Sequence, residues 1–219
     1  EILARQAGIA KVLIVCPASL KSHWQGEIRA CTDRTCRLVF GNARTRAAQY
    51  ADETFFTVCN YEQVVRDARA IERVKWDLIV LDEGQRIKNW ESKISQAVKK
   101  LRSRYAIVLT GTPLENRLEE LYSIVQFVDD RRLGPAFQFL HEHRIVNETG
   151  RVLGYRNLQK VREKLQPILL RRTRDEVLQQ LPGRTEATLF VELAEDQRRL
   201  YTEHRIALAR LLQKKFLTD

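Results

Sequence analysis

The sequence has no methionine, no apolar stretch long enough to cross a bilayer, and no second pair of Cys or His that would complete a zinc-finger spacing around Cys31 and Cys36. With Glu at position 1, the missing methionine leads to the expectation of an ordered piece of a longer reading frame. No run comes near the length that crosses a bilayer, and the first residues show no signal-peptide pattern. The cysteine spacing argues against a structural zinc site. Cys16 and Cys59 each close an apolar run, where free thiols ordinarily lie, and the set reads as that of a reducing intracellular compartment. No internal repeat or low-complexity tract is present.

What is abundant is positive charge, and it is uneven. Residues 1–130 carry 20 Lys and Arg against 17 Asp and Glu, whereas residues 131–219 carry 18 against 11. The +10 total therefore divides as +3 and +7, with eight basic side chains and one Glu between Arg151 and Arg174. Such a segment is what a phosphate backbone attracts, and equally what a solvated helix face in a basic protein looks like.

The first 130 residues alternate apolar runs with amphipathic stretches. Lys11–Cys16, Arg37–Phe40, Thr54–Cys59, Asp77–Leu81 and Ala106–Leu109 lack polar alternation, as strands covered on both faces do. Helical patterns over Ser19–Ala30, Ala43–Ala51, Tyr61–Val74 and Ser92–Ser103 separate them. Repeated strand–helix units predict an α/β, doubly wound parallel sheet. Function in such sheets collects at the carboxyl ends of the strands. Leu118–Val128 reads as a further helix. From Arg131 to Leu181 the pattern is mostly helical with one polar, hairpin-like break at Asn147–Gly150. Glu186–Leu193 alternates like a half-exposed strand, and Glu195–Leu217 reads as a long basic helix.

Three strand ends carry chemistry. Leu78–Leu81 delivers Asp82 and Glu83, followed by Gly84 and Gln85; one acid can hold magnesium and the other can orient and deprotonate a water, or the pair is an ordinary acidic loop. Ala106–Leu109 runs into Thr110, Gly111, Thr112 and Pro113, a phosphate-bridging turn or simply a capped helix start. Cys16 is followed by Pro17, Ala18, Ser19 and Lys21, with Trp24 one turn on, where small residues leave backbone donors open at a helix start.

The ordered set is more specific than its members. Val-Cys-Pro-Ala-Ser-Leu, then Cys59-Asn60-Tyr61-Glu62, then Asp82-Glu83-Gly-Gln-Arg86-Ile-Lys88-Asn89, then Leu-Thr-Gly-Thr-Pro-Leu-Glu-Asn resemble the motifs of superfamily-two helicases. Leu169–Pro182, with Arg171, Arg172 and Arg174, resembles the segment that follows the first motor lobe in the Swi/Snf-type family of helicase-like ATPases. The resemblance runs over about residues 10–205.

It implies a partial RecA-like lobe over residues 1–130 whose phosphate-loop strand is absent, a helical protrusion over 131–183, and a connection over 184–219 toward a second lobe. It also implies ATP and magnesium as cofactors and the double-stranded DNA backbone as partner. The intact protein would be a DNA-dependent ATPase, a monomeric translocase that remodels protein–DNA complexes in the nucleoid or nucleus. In that frame Asp82 holds magnesium through water, Glu83 is the base, and Gln85 couples the acidic motif to Thr110, Gly111 and Thr112. Pro17, Ala18, Ser19, Lys21, Asn60 and Tyr61 lie along a DNA strand. Arg86, Lys88 and Asn89 extend the acidic motif toward DNA, and Arg171 and Arg172 contact DNA or pair within the protein. Two departures stand out. Many relatives have Ala-His where this sequence has Gly84-Gln85, and no Gly-x-x-x-x-Gly-Lys-Ser/Thr loop precedes Lys11, so the chain by itself is expected not to hydrolyse ATP. An RNA-directed helicase and a non-hydrolysing nucleic-acid-binding or scaffold module remain the alternatives.

Overall fold

Val12–Cys16 (β1) is buried at every position, which requires a strand with neighbours on both sides and cover on both faces. In the computed structural model, which describes residues 2–111, 117–172 and 187–215, it has both. Helix α1 (Ile2–Ala7) precedes β1. There follow α2 (Lys21–Cys31), β2 (Cys36–Leu38), α3 (Ala43–Ala51), β3 (Phe56–Asn60), α4 (Tyr61–Glu72), β4 (Trp76–Leu81), α5 (Lys93–Lys100) and β5 (Ser103–Val108). All ladder pairs are parallel, in the order β2-β3-β1-β4-β5. This is the expected α/β, doubly wound sheet. The chain leaves β1 toward β2 and later crosses back to β4, so the reversal of direction falls at the carboxyl end of β1, where such sheets form their crevice.

The uninterrupted apolar runs conceal a period of two that the packing restores. Leu13, Val15, Ile79 and Leu81 face one layer with Tyr50, Tyr61, Val64, Ile71 and Val98, while Val12, Ile14, Leu78 and Val80 face the other with Ile28. Local caps set where the helices begin. Asn42 accepts from the Thr45 amide at 3.0 Å, Asn60 and Gln63 form a reciprocal capping box, and Ser92 accepts from the Ser95 amide. The thiols of Cys16 and Cys59 are pushed up to about 12, chiefly by burial.

Beyond the sheet come α6 (Leu118–Val128), α7 (Ala136–His143), β6 (Arg144–Val146), β7 (Val152–Tyr155) and α8 (Leu158–Leu165). Leu118, Leu121, Tyr122 and Val125 of α6 share a core with Leu133, Phe139, Leu140, Val161 and Leu165. The hairpin-like break expected at Asn147–Gly150 is the turn of an antiparallel hairpin, whose strands β6 and β7 interrupt the helix expected on either side. The Asn147 side chain closes its turn by accepting from the Arg151 amide at 2.8 Å, and Gly150 takes a φ of 78°. His143 is buried, with Nδ1 3.2 Å from the Arg156 carbonyl.

The chain divides into two units, residues 1–170 and 171–219. In the second, α9 (Glu195–Lys215) fulfils the expected long helix. Residues 187–194 form no ladder, which corrects the strand expected over Glu186–Leu193. Alternation alone does not make a strand: Leu189, Phe190 and Val191 are exposed, with no pairing neighbour among the described residues. No described helix is long and apolar enough to cross a membrane.

One buried ion pair ties α3 to α4. Arg46 donates from Nε and Nη2 to the two carboxylate oxygens of Asp67 at 2.7 and 2.6 Å, and Tyr50 Oη adds a bond at 3.2 Å. Asp67→Ala strands the guanidinium and is expected to cost about 3 kcal/mol in denaturant unfolding. Tyr50→Phe, which leaves the pair intact, is expected to cost about 1 kcal/mol. Equal losses in the two variants would mean that the pair is not what joins these helices.

Candidate functional site

The carboxyl ends of β1, β3 and β4 lie level, because Val15 pairs with both Cys59 and Leu81. The ladder continues one step further, through the Asp82 amide to the Val15 carbonyl and the Leu109 amide to the Leu81 carbonyl, each at 2.8 Å. Glu83 then adopts φ 53° and ψ 53°, a left-handed conformation costing a non-glycine residue roughly 1 kcal/mol or more. That reversal starts the 3₁₀ turn Gly84–Ile87, and the Gly84 amide returns to the Leu109 carbonyl at 2.8 Å. Gly84 has no substitute here: a Cβ would lie 2.1 Å from Val108 Cγ1.

Asp82 is held from three directions. Its Oδ1 accepts from the Glu83 amide at 2.9 Å, and its Oδ2 accepts from Trp24 Nε1 at 2.8 Å. Its carbonyl accepts from Tyr61 Oη at 2.6 Å. The Tyr61 hydroxyl is pushed well above its ordinary pKa by burial and then by the Asp82 charge, so it remains a donor. Glu83 accepts from Gln85 Nε2, and Gln85 Oε1 in turn accepts from Thr110 Oγ1 at 2.9 Å. Both faces of the Gln85 amide are thereby assigned, without a titrating group. Gly111 is exposed, and Thr112 lies outside the described residues.

Magnesium needs only one or two protein carboxylates, completing its shell with water and phosphate oxygens. Each Asp82 oxygen accepts one of the hydrogen bonds above and keeps a second lone pair, so the side chain fits a water-mediated role.

The remaining candidates divide by what their side chains already do. Ala18 and Ser19 are exposed on a 3₁₀ turn at the end of β1, and Pro17 is half-buried beside them. Lys21 turns inward, donating to the Val39 carbonyl and to Gln63 Oε1, and burial lowers its pKa. Asn60 caps α4, and Tyr61 is fully buried with Arg86 over its ring at 5.8 Å. Arg86 pairs with Glu62 at 3.2 Å and Lys88 with Glu120 at 3.3 Å, all part-exposed. Asn89 is exposed and accepts from the Glu91 amide. Arg171 and Arg172 are exposed in the second unit. Sequence reasoning noted Trp24 but not its bond to Asp82, and it missed the Tyr61 hydroxyl as a backbone anchor. A Trp one turn into a helix that starts beside the acidic strand end was the available signal.

The sequence profile described as "SNF2-related domain" matches residues 2–218. The chain is 31% identical over 195 residues to an uncharacterized ATP-dependent helicase of Mycoplasma genitalium, covering 88% of this chain and 18% of that protein. It is 32% identical over 197 residues to the putative ATP-dependent helicase/translocase YwqA of Bacillus subtilis, covering 87% and 21%. The human SWI/SNF-related matrix-associated actin-dependent regulator of chromatin subfamily A member 1 is 31% identical over 198 residues, covering 87% and 19%. Among solved structures, the Sulfolobus solfataricus SWI2/SNF2 ATPase core in complex with dsDNA matches with a TM-score of 0.70 and 26% identity, over 97% of this chain and 45% of that one. The chain thus spans about a fifth of the length of these three relatives and under half of the solved core.

Gly84→Ala is expected to destabilise the chain by about 1–3 kcal/mol, because the stiff Val108 side chain cannot swing away. Adding Val108→Ala removes the obstructing methyl and should recover part of that loss in chemical denaturation. Additive losses would place the cost of Gly84→Ala elsewhere.

Proposed function

This chain belongs to the SNF2-related domain family, and we propose that it is the acidic-motif part of an ATP-driven motor lobe that moves along double-stranded DNA and remodels protein–DNA complexes. The observation that carries the reading is the adjacent acidic pair at the crevice end of β4. Asp82 is fixed by Trp24 and Tyr61, and Glu83 is linked through Gln85 to Thr110.

Glu83 serves as the general base, accepting the proton of the water that attacks the terminal phosphate of ATP, with Gln85 orienting its carboxylate. Asp82 would hold magnesium through water, and the ion would neutralise charge on the phosphate oxygens. The Thr110–Gln85 bond couples the strand end after β5 to the acidic pair, and Gly111 and Thr112 follow it in sequence. The phosphate-gripping loop and the catalytic arginines come from segments other than this one. In this proposal residues 1–130 form the lobe, 131–183 the protrusion and 184–219 the connection to a second lobe.

The DNA track runs over Pro17, Ala18 and Ser19 and over Arg86, Lys88 and Asn89. The exposed ion pairs of Arg86 and Lys88 are weak enough to exchange for phosphates. Lys21, Asn60 and Tyr61 frame this surface from beneath, since their polar atoms already bond within the lobe. Arg171 and Arg172 add phosphate contacts from the basic segment.

In the full-length ATPase, Glu83→Gln should lower the rate of phosphate release at least about 100-fold while nucleotide affinity changes little. Asp82→Asn should instead weaken magnesium-dependent nucleotide binding. Near wild-type turnover in both variants would reject the assignment of the acidic pair.

Binding to mixed-sequence duplex should fall steeply with salt and ignore sequence. Lys88→Ala, and each Arg of an Arg171→Ala/Arg172→Ala variant, should flatten the log–log salt slope by about one unit. Unchanged slopes in all of these variants, or strong preference for one sequence, would exclude this footprint.

A further inference from the structure

The far end of the acidic turn is held by a second set of bonds, remote from the crevice. The Ile87 carbonyl accepts from Ser123 Oγ of α6 at 2.6 Å and from Ser95 Oγ of α5 at 3.1 Å. Ile87, Ser95 and Ser123 are all fully buried. Lys99 of α5 reaches across and donates to the same Ser123 oxygen at 2.8 Å. Among the described residues Lys99 has no carboxylate partner, and burial pushes its pKa down to about 8.

The donor count gives this arrangement a direction. An ammonium can only donate, so Ser123 Oγ must accept from it. The single hydroxyl hydrogen of Ser123 is then committed to the Ile87 carbonyl, and no rotor freedom remains. A lysine is a costly group to place in a half-buried helix interface without a counter-ion. Leu or Met would fill the same space, but neither would orient a hydroxyl.

We propose that Lys99 and Ser123 are positioning residues for hydrolysis: the relay Lys99 Nζ–H to Ser123 Oγ–H to the Ile87 carbonyl, doubled by Ser95, fixes the closing end of the turn that carries Glu83 and Gln85. The opening end is fixed independently by the bond from the Gly84 amide to the Leu109 carbonyl. Between these anchors lie only Gln85 and Arg86, so the direction of the Gln85 amide, and with it the Glu83 carboxylate, is set from both sides. The relay acts through the turn and touches neither nucleotide nor DNA. Its catalytic consequence rests on the role proposed above for Glu83; its geometry does not.

Amide hydrogen exchange on the 219-residue chain reads the relay directly, at Arg86 and Lys88, whose amides close the turn on the Glu83 and Gln85 carbonyls at 3.0 and 3.2 Å. Lys99→Met and Ser123→Ala should each speed exchange there by about fivefold, the size of one lost hydrogen bond. The double variant should go no further than Ser123→Ala alone, because Lys99 acts through Ser123. Val80 and Leu81 in β4 should be unaffected, and Lys99→Arg, which keeps a donor, should stay near wild type. No change at Arg86 and Lys88, additive effects in the double variant, or faster exchange throughout β4 would each overturn the relay.

In the full-length ATPase the same two variants should lower kcat several-fold with little change in KM for ATP, in proportion to the exchange at Arg86. Unchanged kcat despite loosened exchange would overturn the positioning role. Full turnover in Glu83→Gln would instead reject the functional reading, and the exchange pattern would still decide the relay on its own.

Discussion

The return of the Gly84 amide to the Leu109 carbonyl is the contact on which the crevice depends. It lets β4 reverse direction immediately after Asp82 while its neighbour β5 runs on for one more residue. Without it, the left-handed Glu83 would have no reason to hold a strained backbone. The bond also explains the glycine, since any side chain at position 84 would meet Val108 before the amide could approach. The two carboxylates consequently leave one strand end with different fates. Asp82 continues the ladder and is clamped by Trp24 and Tyr61, while Glu83 turns out of it toward Gln85.

Around that contact, polar groups are spent on placement more than on stability. Tyr61 buries its whole ring to deliver one hydroxyl to a backbone carbonyl, and Lys21 gives up an exposed charge to join the β1 turn to Val39 and Gln63. Charged residues nearest the crevice are thus divided between an inner frame and an outer, solvent-facing set comprising Arg86 and Lys88.

Much of the fold was legible because its determinants are local. Ala43–Ala51 and Leu118–Val128 begin and end where the residue pattern put them, and each of the five strands overlaps an unbroken apolar run. The acidic pair and its Thr110 partner were legible as motifs. What the sequence hid is long-range. Ser123 lies 36 positions from the carbonyl it binds, and Trp24 lies 58 from Asp82. The turn of the hairpin at Arg144–Tyr155 was legible, but its strands were hidden for another reason: they are short and largely exposed, so they carry no burial pattern. The converse error, at Glu186–Leu193, came from a good alternating pattern that finds no ladder among the described residues.

Helix α6 belongs to two cores at once. Ile124 packs into the layer beneath the sheet, while Leu118, Leu121, Tyr122 and Val125 pack into the second core with Phe139 and Val161. At its start Arg144 and Tyr155 of the hairpin bind Glu119, while Lys88 binds the adjacent Glu120. The helix is thus gripped along both flanks, by two cores and by ion pairs from either side. In the motor proposed above, a push or torque on the helical part would reach the sheet through this shared helix, as displacement more than as bending.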